Sequence, residues 1–267
     1  MMRTPERMSD ELMRETLGAY PIDLRVMDCI DSTNAEARRA LQSGTRRPTA
    51  FVADQQTAGR GRMGRSFYSP ADTGIYCSLL LPMNEVQTDT LSITAVAAVA
   101  ARRAIVQVTG VQTMIKWVND LYLGDRKVCG ILAEASSVGD ERFLILGVGV
   151  NLCTEQFPEE ISEIAGSLLA KGNGLRNRLA ATLIAELYEA LLRKNDGTWL
   201  EEYRANSNVL GRPIRYTEQG RDAFGVAEAI DESGRLLVRQ EDGSLVVLAS
   251  GEISVRVSKP KKENENE

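Results

Sequence analysis

The sequence predicts an α+β fold in two parts. Up to about residue 205, strand-like apolar segments alternate with long segments of helical periodicity. From residue 206 the pattern changes to short strands separated by glycine-containing turns, which predicts a small antiparallel barrel over residues 206–258. Residues 259–267 are charged, lack apolar side chains and are predicted to be disordered. The predicted division is therefore 1–205, 206–258 and 259–267.

In the first part, alternating or uniformly apolar segments predict strands, and cap residues or a 3.6-residue period predict helices. Residues 1–20 hold one helix, followed by a strand at 23–30, a helix at 35–41 that Ser32, Thr33 and Asn34 can cap and Gly44 ends, and strands at 49–54 and 74–82. Next come a buried alanine-rich helix at 88–108, strands and a Gly124-Asp125 hairpin in 112–137, a core strand at 143–153 and an amphipathic helix at 177–194.

In the second part, tight turns at Ser233-Gly234 and Asp242-Gly243 separate the short strands. The predicted strands lie at 213–218, 223–230, 236–240, 244–249 and 253–257. Since no segment here has a helical period, the barrel contains strands only.

The composition is that of a globular protein that buries a sizeable core. Of 267 residues, 43% are hydrophobic and 26% charged, and the net charge of -5 argues against a general nucleic-acid binder. The longest apolar stretch is interrupted by Arg102 and Arg103, which argues against a membrane span. With no secretory signal at the N-terminus, we expect a cytoplasmic protein.

Two residue types exclude whole classes of site. The chain has no histidine, which excludes Ser-His-Asp and Cys-His triads. The cysteines are widely spaced and form no C-x-x-C pair, so a structural zinc site is not expected. We expect all of them to be reduced and buried: Cys29, Cys77, Cys129 and Cys153.

The stretch "GRGRMGRSFYSP", residues 59–70, has the G-x-G-x-x-G spacing of a dinucleotide-binding loop. That fold needs a helix directly after the glycines, and Pro70 and Gly74 argue against one. A P-loop is excluded because the chain contains no Gly-Lys dipeptide. A solvated basic loop remains an alternative. Glycines that expose backbone N–H groups, next to Arg60, Arg62 and Arg65, favour a mobile lid that orders over an anion.

Two further segments carry polar groups. "KWVNDLYLGDRKVCGILAE", residues 116–134, places Lys116, Asn119, Asp120 and Lys127 on a predicted hairpin. These residues alone could equally be surface charge. "DSTN", residues 31–34, could equally be a simple helix cap.

Taken together, these motifs resemble the biotin–protein ligase family. The series is "DSTN", "QQTAGRGRMGRSFYSP", "KWVNDLYLGDRKVCGILAE", "GVGVNL" and "GEISVR", and it extends from residue 28 to about residue 256. The resemblance implies a catalytic domain like that of class II aminoacyl-tRNA synthetases, a mixed sheet with flanking helices. It also implies that the C-terminal barrel is SH3-like.

The resemblance implies a two-step ligase that uses ATP and Mg²⁺, with biotin as substrate. Biotin is activated as biotinyl-5′-AMP and transferred to a lysine of a biotin carboxyl carrier protein or domain. Only about 20 residues precede the first strand, so a DNA-binding repressor domain is not expected. The family resemblance implies either a monomer or a homodimer.

The resemblance also assigns roles, carried over motif by motif. The catalytic residues would be Lys127, Arg60, Lys116 and Asp120, with Asp120 also the carboxylate for magnesium. Biotin would contact Ser32, Thr33, Asn34, Gln56, Gly59, Arg60, Gly61, Arg62, Lys127, Gly130, Leu132, Gly147 and Gly149. ATP would contact Arg60, Arg62, Arg65, Lys116, Asn119, Asp120, Lys127, Asn151, Glu252 and Arg256.

The chain departs from the family pattern at two positions. Phe67 stands where a tryptophan is usual, which preserves an aromatic wall, and Val118 stands where "KWPND" would have proline, which loosens the backbone before Asn119. A lipoate–protein ligase shares the fold and chemistry, but its glycine-triplet loop is absent here. A protein that stores or senses biotin without catalysis is the alternative from another class.

Overall fold

The computed structural model describes residues 6–88, 92–172, 174–193, 197–218, 221–249 and 256–257, and it folds around two β-sheets. The helices are α1 Asp10–Leu17, α2 Thr33–Gln42, α3 Ile93–Thr109, α4 Glu159–Ser162, α5 Arg176–Tyr188 and α6 Thr198–Ala205. The strands of the first sheet are β1 Asp23–Ile30, β2 Thr49–Gln56, β3 Gly74–Pro82, β4 Met114–Lys116, β5 Asp120–Leu123, β6 Arg126–Val138 and β7 Glu141–Asn151. Those of the second are β8 Pro213–Glu218, β9 Arg221–Ile230, β10 Leu236–Arg239, β11 Leu245–Leu248 and β12 Arg256–Val257.

The first sheet is mixed, with the order β1-β2-β3-β7-β6-β5-β4. β1 and β2 are parallel because α2 carries the chain back across the sheet, and every other neighbouring pair is antiparallel. β3 is buried along its whole length, since it lies in the middle of the sheet between β2 and β7. The N-terminal turn of α2 and the β2–β3 loop therefore approach β6 on one face of the sheet.

Helices cover both faces of this sheet. Alternate residues of β2 separate the two sides: Ala50 and Val52 belong to the large core with α3 and α5, whereas Phe51 packs under α2. α3 is mostly buried as far as Ile105, as its alanine-rich sequence predicts, and its last turn is half-buried to exposed. The smaller cluster under α2 positions the N-terminal turn of that helix over the sheet.

The second sheet is antiparallel, with the order β11-β10-β9-β8-β12. It contacts the first part through the β9–β10 turn, where the Gly234 carbonyl accepts a 2.8 Å hydrogen bond from Trp117 Nε1. From α6, the Tyr203 hydroxyl donates to the Val118 carbonyl at 3.2 Å. The segment between β4 and β5 thus forms hydrogen bonds with both the β9–β10 turn and α6. This is the segment whose backbone Val118, in place of proline, is predicted to loosen.

Most predicted elements are confirmed, and the differences have local causes. β1 and β3 have the predicted bounds, and the sequence after Gly59 forms only a single 3₁₀ turn at Arg62–Gly64. α3 starts at Ile93, five residues after the predicted start at Thr88, whose hydroxyl donates to the Ala190 carbonyl at 3.3 Å. The short helices α4 and α6 were not predicted, since each is too short for a clear period. The predicted tail, residues 259–267, lies outside the described residues.

The cysteines are unpaired, but the prediction that all are buried is wrong. Cys29 is exposed because it lies on the outer edge strand β1, whereas Cys77 and Cys129 are fully buried within the sheet. Burial raises the pKa of the Cys77 thiol to about 12 and also raises the pKa of Cys129 well above its usual range.

These environments predict which thiols react. In the native protein, a thiol-specific disulfide reagent at mildly alkaline pH should modify Cys29 rapidly and leave Cys77 and Cys129 unmodified until guanidinium unfolds the chain. Peptide mapping by mass spectrometry identifies the modified thiol, and Cys29→Ser should abolish the rapid phase. Rapid native modification of Cys129 would contradict this packing.

A candidate ligand site beneath the arginine loop

A cavity of about 670 Å³ opens where α2, the β2–β3 loop and β6 meet. This is a suitable size for a small organic ligand. Its walls come from the N-terminal turn of α2, from the whole segment 58–66 and from Leu132 and Glu134 of β6. The lining residues are Asp31, Ser32, Ala35, Ala58, Gly59, Arg60, Gly61, Arg62, Met63, Gly64, Arg65, Ser66, Leu132 and Glu134.

The arginine loop, residues 59–67, folds back on itself as a tight hairpin. Gly61 N donates to the Arg65 carbonyl at 2.7 Å, and Phe67 N donates to the Gly59 carbonyl at 2.9 Å. A Cβ atom on Gly59 would lie only 2.3 Å from the Phe67 carbonyl oxygen, so the closure requires glycine there. The glycines thus allow the hairpin to close, and the resemblance to a dinucleotide-binding loop is coincidental.

A continuous set of hydrogen bonds forms the polar floor beneath the loop: Thr33, Asn34, Gln56, Ser69 and Ser78. Thr33 N donates to Gln56 Oε1 at 2.9 Å, and Gln56 Nε2 donates to Ser69 Oγ at 2.9 Å. The Ser78 hydroxyl lies 2.7 Å from Thr33 Oγ1 and 2.6 Å from Asn34 Oδ1. Four of these side chains are buried and that of Gln56 is half-buried, so each orientation is fixed by its hydrogen-bond partners.

The polar floor also reaches the arginine loop itself. The Ser69 hydroxyl donates to the Phe67 carbonyl at 2.9 Å, and the Phe67 ring lies edge-on to Tyr76 with 6.4 Å between ring centroids. The aromatic wall predicted at Phe67 is therefore formed by a ring that is anchored from below.

Three glycines of β6 and β7 accommodate protein side chains. A Cβ atom on Gly147 would lie 2.2 Å from Asn34 Oδ1, one on Gly149 would lie 2.5 Å from the Phe67 ring, and one on Gly130 would lie 3.0 Å from Lys127 Cε. The structure thus places Asn34 against Gly147 and the Phe67 ring against Gly149, and the predicted packing of the ligand on these glycines stays a prediction.

A second polar cluster lies beside the cavity, on β5 and β6. Lys127 Nζ is 2.7 Å from Asp120 Oδ1, an ion pair in which both side chains are partly buried. Asn119 donates through Nδ2 to the Ile131 carbonyl at 2.8 Å and accepts a 2.8 Å hydrogen bond from Arg62 Nη1. Arg62 therefore connects the arginine loop to the cluster that contains Lys127.

The other predicted ATP contacts lie on β4, on β7 and in the C-terminal part. Lys116 lies on β4 with its Nζ 5.0 Å from the centroid of the Tyr122 ring. Asn151 is buried at the end of β7 and donates to the Gly166 carbonyl at 3.1 Å, which points it into the structure. Arg256 lies on β12, and Glu252 falls outside the described residues, so their predicted ATP contacts stay predictions.

Sequence reasoning missed two charged residues of the site, Glu134 and Arg38. Glu134 lines the cavity and accepts hydrogen bonds from Asn34 Nδ2 at 2.7 Å and Arg38 Nη2 at 2.9 Å. Arg60 Nη1 lies 3.8 Å from the same carboxylate. The available signals were spacings: Glu134 is two residues from Leu132 on one face of β6, and Arg38 is one helical turn after Asn34.

Asp31 places a permanent negative charge on the rim of the cavity. Arg39 donates to its carboxylate at 2.7 and 2.9 Å, and Ser32 N donates at 2.7 Å. Chiefly because of the Arg39 hydrogen bonds, the pKa of Asp31 is lowered to about 2. Since the folded-state pKa is depressed, the pair stabilises the fold above about pH 4 and loses that contribution as the pH falls towards 2.

The predicted carboxylate for a metal ion is that of Asp120, which lies beside Lys127. Among the residues that the structure describes, no three Asp, Glu or Cys side chains are close enough to hold a metal together. Mg²⁺ commonly binds through one or two carboxylates together with substrate phosphates, so Asp120 fits a magnesium ion carried by a nucleotide.

Comparison with known proteins identifies the family. A model of the biotin/lipoate A/B protein ligase family matches residues 26–151, and a model of the biotin protein ligase C-terminal domain matches residues 209–256. A biotin–[acetyl-CoA-carboxylase] ligase of Mycobacterium tuberculosis is 34% identical over 92% of this chain and 93% of its own length. The chain belongs to the biotin protein ligase family.

Other relatives agree with the family assignment. The bifunctional ligase/repressor BirA of Escherichia coli is 32% identical, over 86% of this chain and 73% of BirA. A biotin protein ligase from Aquifex aeolicus in complex with biotin and ATP superposes with a TM-score of 0.73 at 27% identity, covering 88% of this chain and 99% of the other. The predicted fold, a mixed sheet with flanking helices plus an SH3-like C-terminal sheet, is confirmed. None of the described helices is both long and apolar enough to cross a membrane.

The contact between Asn34 and Gly147 predicts a specific coupling. Gly147→Ala should destabilise the protein by about 1–3 kcal/mol, because the added methyl group displaces the Asn34 amide. In an Asn34→Ala background the same change should cost less than about 0.5 kcal/mol, since the three atoms nearest to the new methyl group all belong to Asn34. Urea unfolding of the four proteins measures both values, and equal costs in the two backgrounds would rule out this contact.

Proposed function

We propose that the protein activates biotin as biotinyl-5′-AMP and transfers the biotinyl group to a lysine of a carboxylase carrier domain. The observation that carries this proposal is the joining of two clusters by the arginine loop. Its arginines line the cavity, the polar floor lies beneath the same loop, and Arg62 bonds to Asn119 beside the Lys127–Asp120 pair. A carboxylate and a phosphate could therefore meet under permanent positive charge.

The polar floor suits the ureido ring of biotin. A ureido group presents two N–H donors and one carbonyl acceptor in a rigid plane, and it needs fixed partners of both kinds. Thr33, Asn34 and Gln56 offer hydroxyl and amide groups whose orientations are already set, and Ser32 adds a hydroxyl on the cavity wall. Leu132 supplies an apolar wall for the rest of the molecule. In this proposal the biotin tail extends towards the arginine loop.

In the first step, a carboxylate oxygen of biotin attacks the α-phosphorus of ATP and pyrophosphate leaves. The main obstacle is repulsion between two anions, so fixed positive charge and alignment supply the catalysis. Arg60 would meet the carboxylate and α-phosphate from the loop, and Lys127 would lie between them, while Lys116 and Arg65 would face the other phosphates. Bound Mg²⁺, held by Asp120 and the phosphates, would neutralise charge on the triphosphate.

In the second step, the amine of a carrier lysine attacks the acyl carbon of the adenylate, and AMP leaves. The mixed anhydride is prone to hydrolysis, so it must be kept from water until the carrier arrives. The arginine loop forms the outer wall of the cavity, which is the position from which a cover acts. Lid closure is therefore part of the proposal.

Further predictions accompany this function. The carrier is proposed to be a biotin carboxyl carrier protein or domain, and the expected location is the cytoplasm, where ATP is available. No nucleic-acid partner is proposed. The molar mass in solution distinguishes a monomer from a homodimer.

The role of Lys127 gives a quantitative prediction. Lys127→Ala should lower the rate constant of adenylate formation about 100- to 1,000-fold, while biotin affinity changes less than about tenfold, because the ammonium group acts mainly as charge is redistributed. Rapid-quench assays and calorimetric biotin titration provide the two values. The exposed Lys171→Ala is the matched control and should resemble the wild type. Equal losses in both quantities would contradict the role.

The function itself is tested with the wild-type protein. ATP–pyrophosphate exchange should depend on biotin and not on lipoate, and MgATP plus biotin should label one lysine of a purified carrier domain. Exchange driven only by lipoate would replace this proposal with a lipoate ligase. Biotin binding without any labelling would indicate a protein that stores or senses biotin.

A further inference from the structure

Glu134 places a carboxylate in the wall of the cavity that is proposed to bind anions. Glu134 repels any anion that enters, yet its side chain is mostly buried, at 20% exposure, and faces the cavity. A carboxylate beside an anion site lowers the affinity for an anionic ligand unless it also positions groups that bind that ligand. The hydrogen-bond partners of the two Glu134 oxygens show which groups it positions.

Oxygen Oε2 fixes the Asn34 amide. Asn34 Nδ2 donates to Oε2 at 2.7 Å, and Asn34 Oδ1 lies 2.6 Å from the Ser78 hydroxyl. An asparagine amide can rotate by half a turn and exchange its donor and acceptor, unless its partners forbid the exchange. Glu134 accepts only, so it requires the nitrogen on its own side. The carboxylate thereby fixes the Asn34 amide with its nitrogen towards β6 and its oxygen towards Ser78.

Oxygen Oε1 holds two arginines unequally. Arg38 Nη2 is 2.9 Å away and hydrogen-bonded, whereas Arg60 Nη1 is 3.8 Å away and its side chain is 51% exposed. Arg60 is therefore attracted to Glu134 without a direct hydrogen bond. A better-placed anion in the cavity can take Arg60 over at small cost, because exposed ion pairs are weak.

We propose that Glu134 is a positioning residue that orients the Asn34 amide for ligand binding and keeps Arg60 at the cavity until the ligand's own carboxylate or phosphate takes Arg60 over. The proposal rests on the proposed function, because it concerns biotin and its adenylate. In this proposal Glu134 does not touch the reacting atoms. It acts through Asn34 in the floor and through Arg60 in the loop.

Two substitutions separate the two effects. Glu134→Gln removes the charge but keeps an oxygen that can accept from Asn34, so biotin affinity should stay within about threefold of the wild type. Without the competing charge, biotinyl-5′-AMP should dissociate roughly 2- to 5-fold more slowly. Glu134→Ala removes both functions, and biotin affinity should fall about tenfold or more.

A double-mutant cycle tests the link to Arg60. The slower dissociation caused by Glu134→Gln should disappear in an Arg60→Gln background, because no arginine is left to change partners. The matched control is Glu141→Gln, which removes an ion pair to Arg46 at 3.0 Å on the neighbouring strand without touching the cavity. Chase experiments with labelled biotinyl-5′-AMP and calorimetric biotin titration give the values, and thermal unfolding confirms that each variant folds.

The outcomes separate this inference from the proposed function. If the wild type binds biotin and forms the adenylate, equal biotin affinities of Glu134→Gln and Glu134→Ala would overturn the positioning role. An equal change in dissociation in both Arg60 backgrounds would overturn it as well. If the wild type binds no biotin, the proposed function is overturned, and this inference with it.

Discussion

The site depends on one close approach, that of the Asn34 side chain to the bare backbone of Gly147. A side chain on residue 147 would collide with the amide, and the glycine lets α2 lie low enough for Asn34 to reach Ser78 and Glu134 at once. The polar floor therefore lies where the N-terminus of α2 meets the middle of the first sheet. Because its members are mutually hydrogen-bonded and, except for the half-buried Gln56, buried, the polar floor is organised before a ligand arrives.

The arginine loop is attached to this floor. Gln56 and Ser69 connect Thr33 to the Phe67 carbonyl, and the Phe67 ring lies against Gly149. Groups that would recognise the biotin ring and groups that would cover the adenylate thus share one hydrogen-bonded set. This arrangement gives a physical route by which ring binding can influence loop closure, and it explains why one segment carries both glycines and arginines.

Local patterns predicted much of the fold, while contacts between distant residues escaped prediction. β1 and β3 were predicted to the residue, because their patterns and flanking turns are strong. The contact of Asn34 with Gly147 escaped prediction, because only the packed structure brings Asn34 onto that glycine. Glu134 was missed because its partner Asn34 is 100 residues away in the chain. Family resemblance supplied the candidate residues, and packing showed which of them lie together.

The most direct measurement is a crystal structure of the protein with biotinyl-5′-AMP. We predict that the ureido ring lies within hydrogen-bonding distance, about 2.7–3.2 Å, of the floor formed by Thr33, Asn34 and Gln56. The phosphate should lie closer to Arg60 and Lys127 than to any other cationic side chain, with Arg60 withdrawn from Glu134. An adenylate bound outside this cavity, with Arg60 still beside Glu134, would contradict the account.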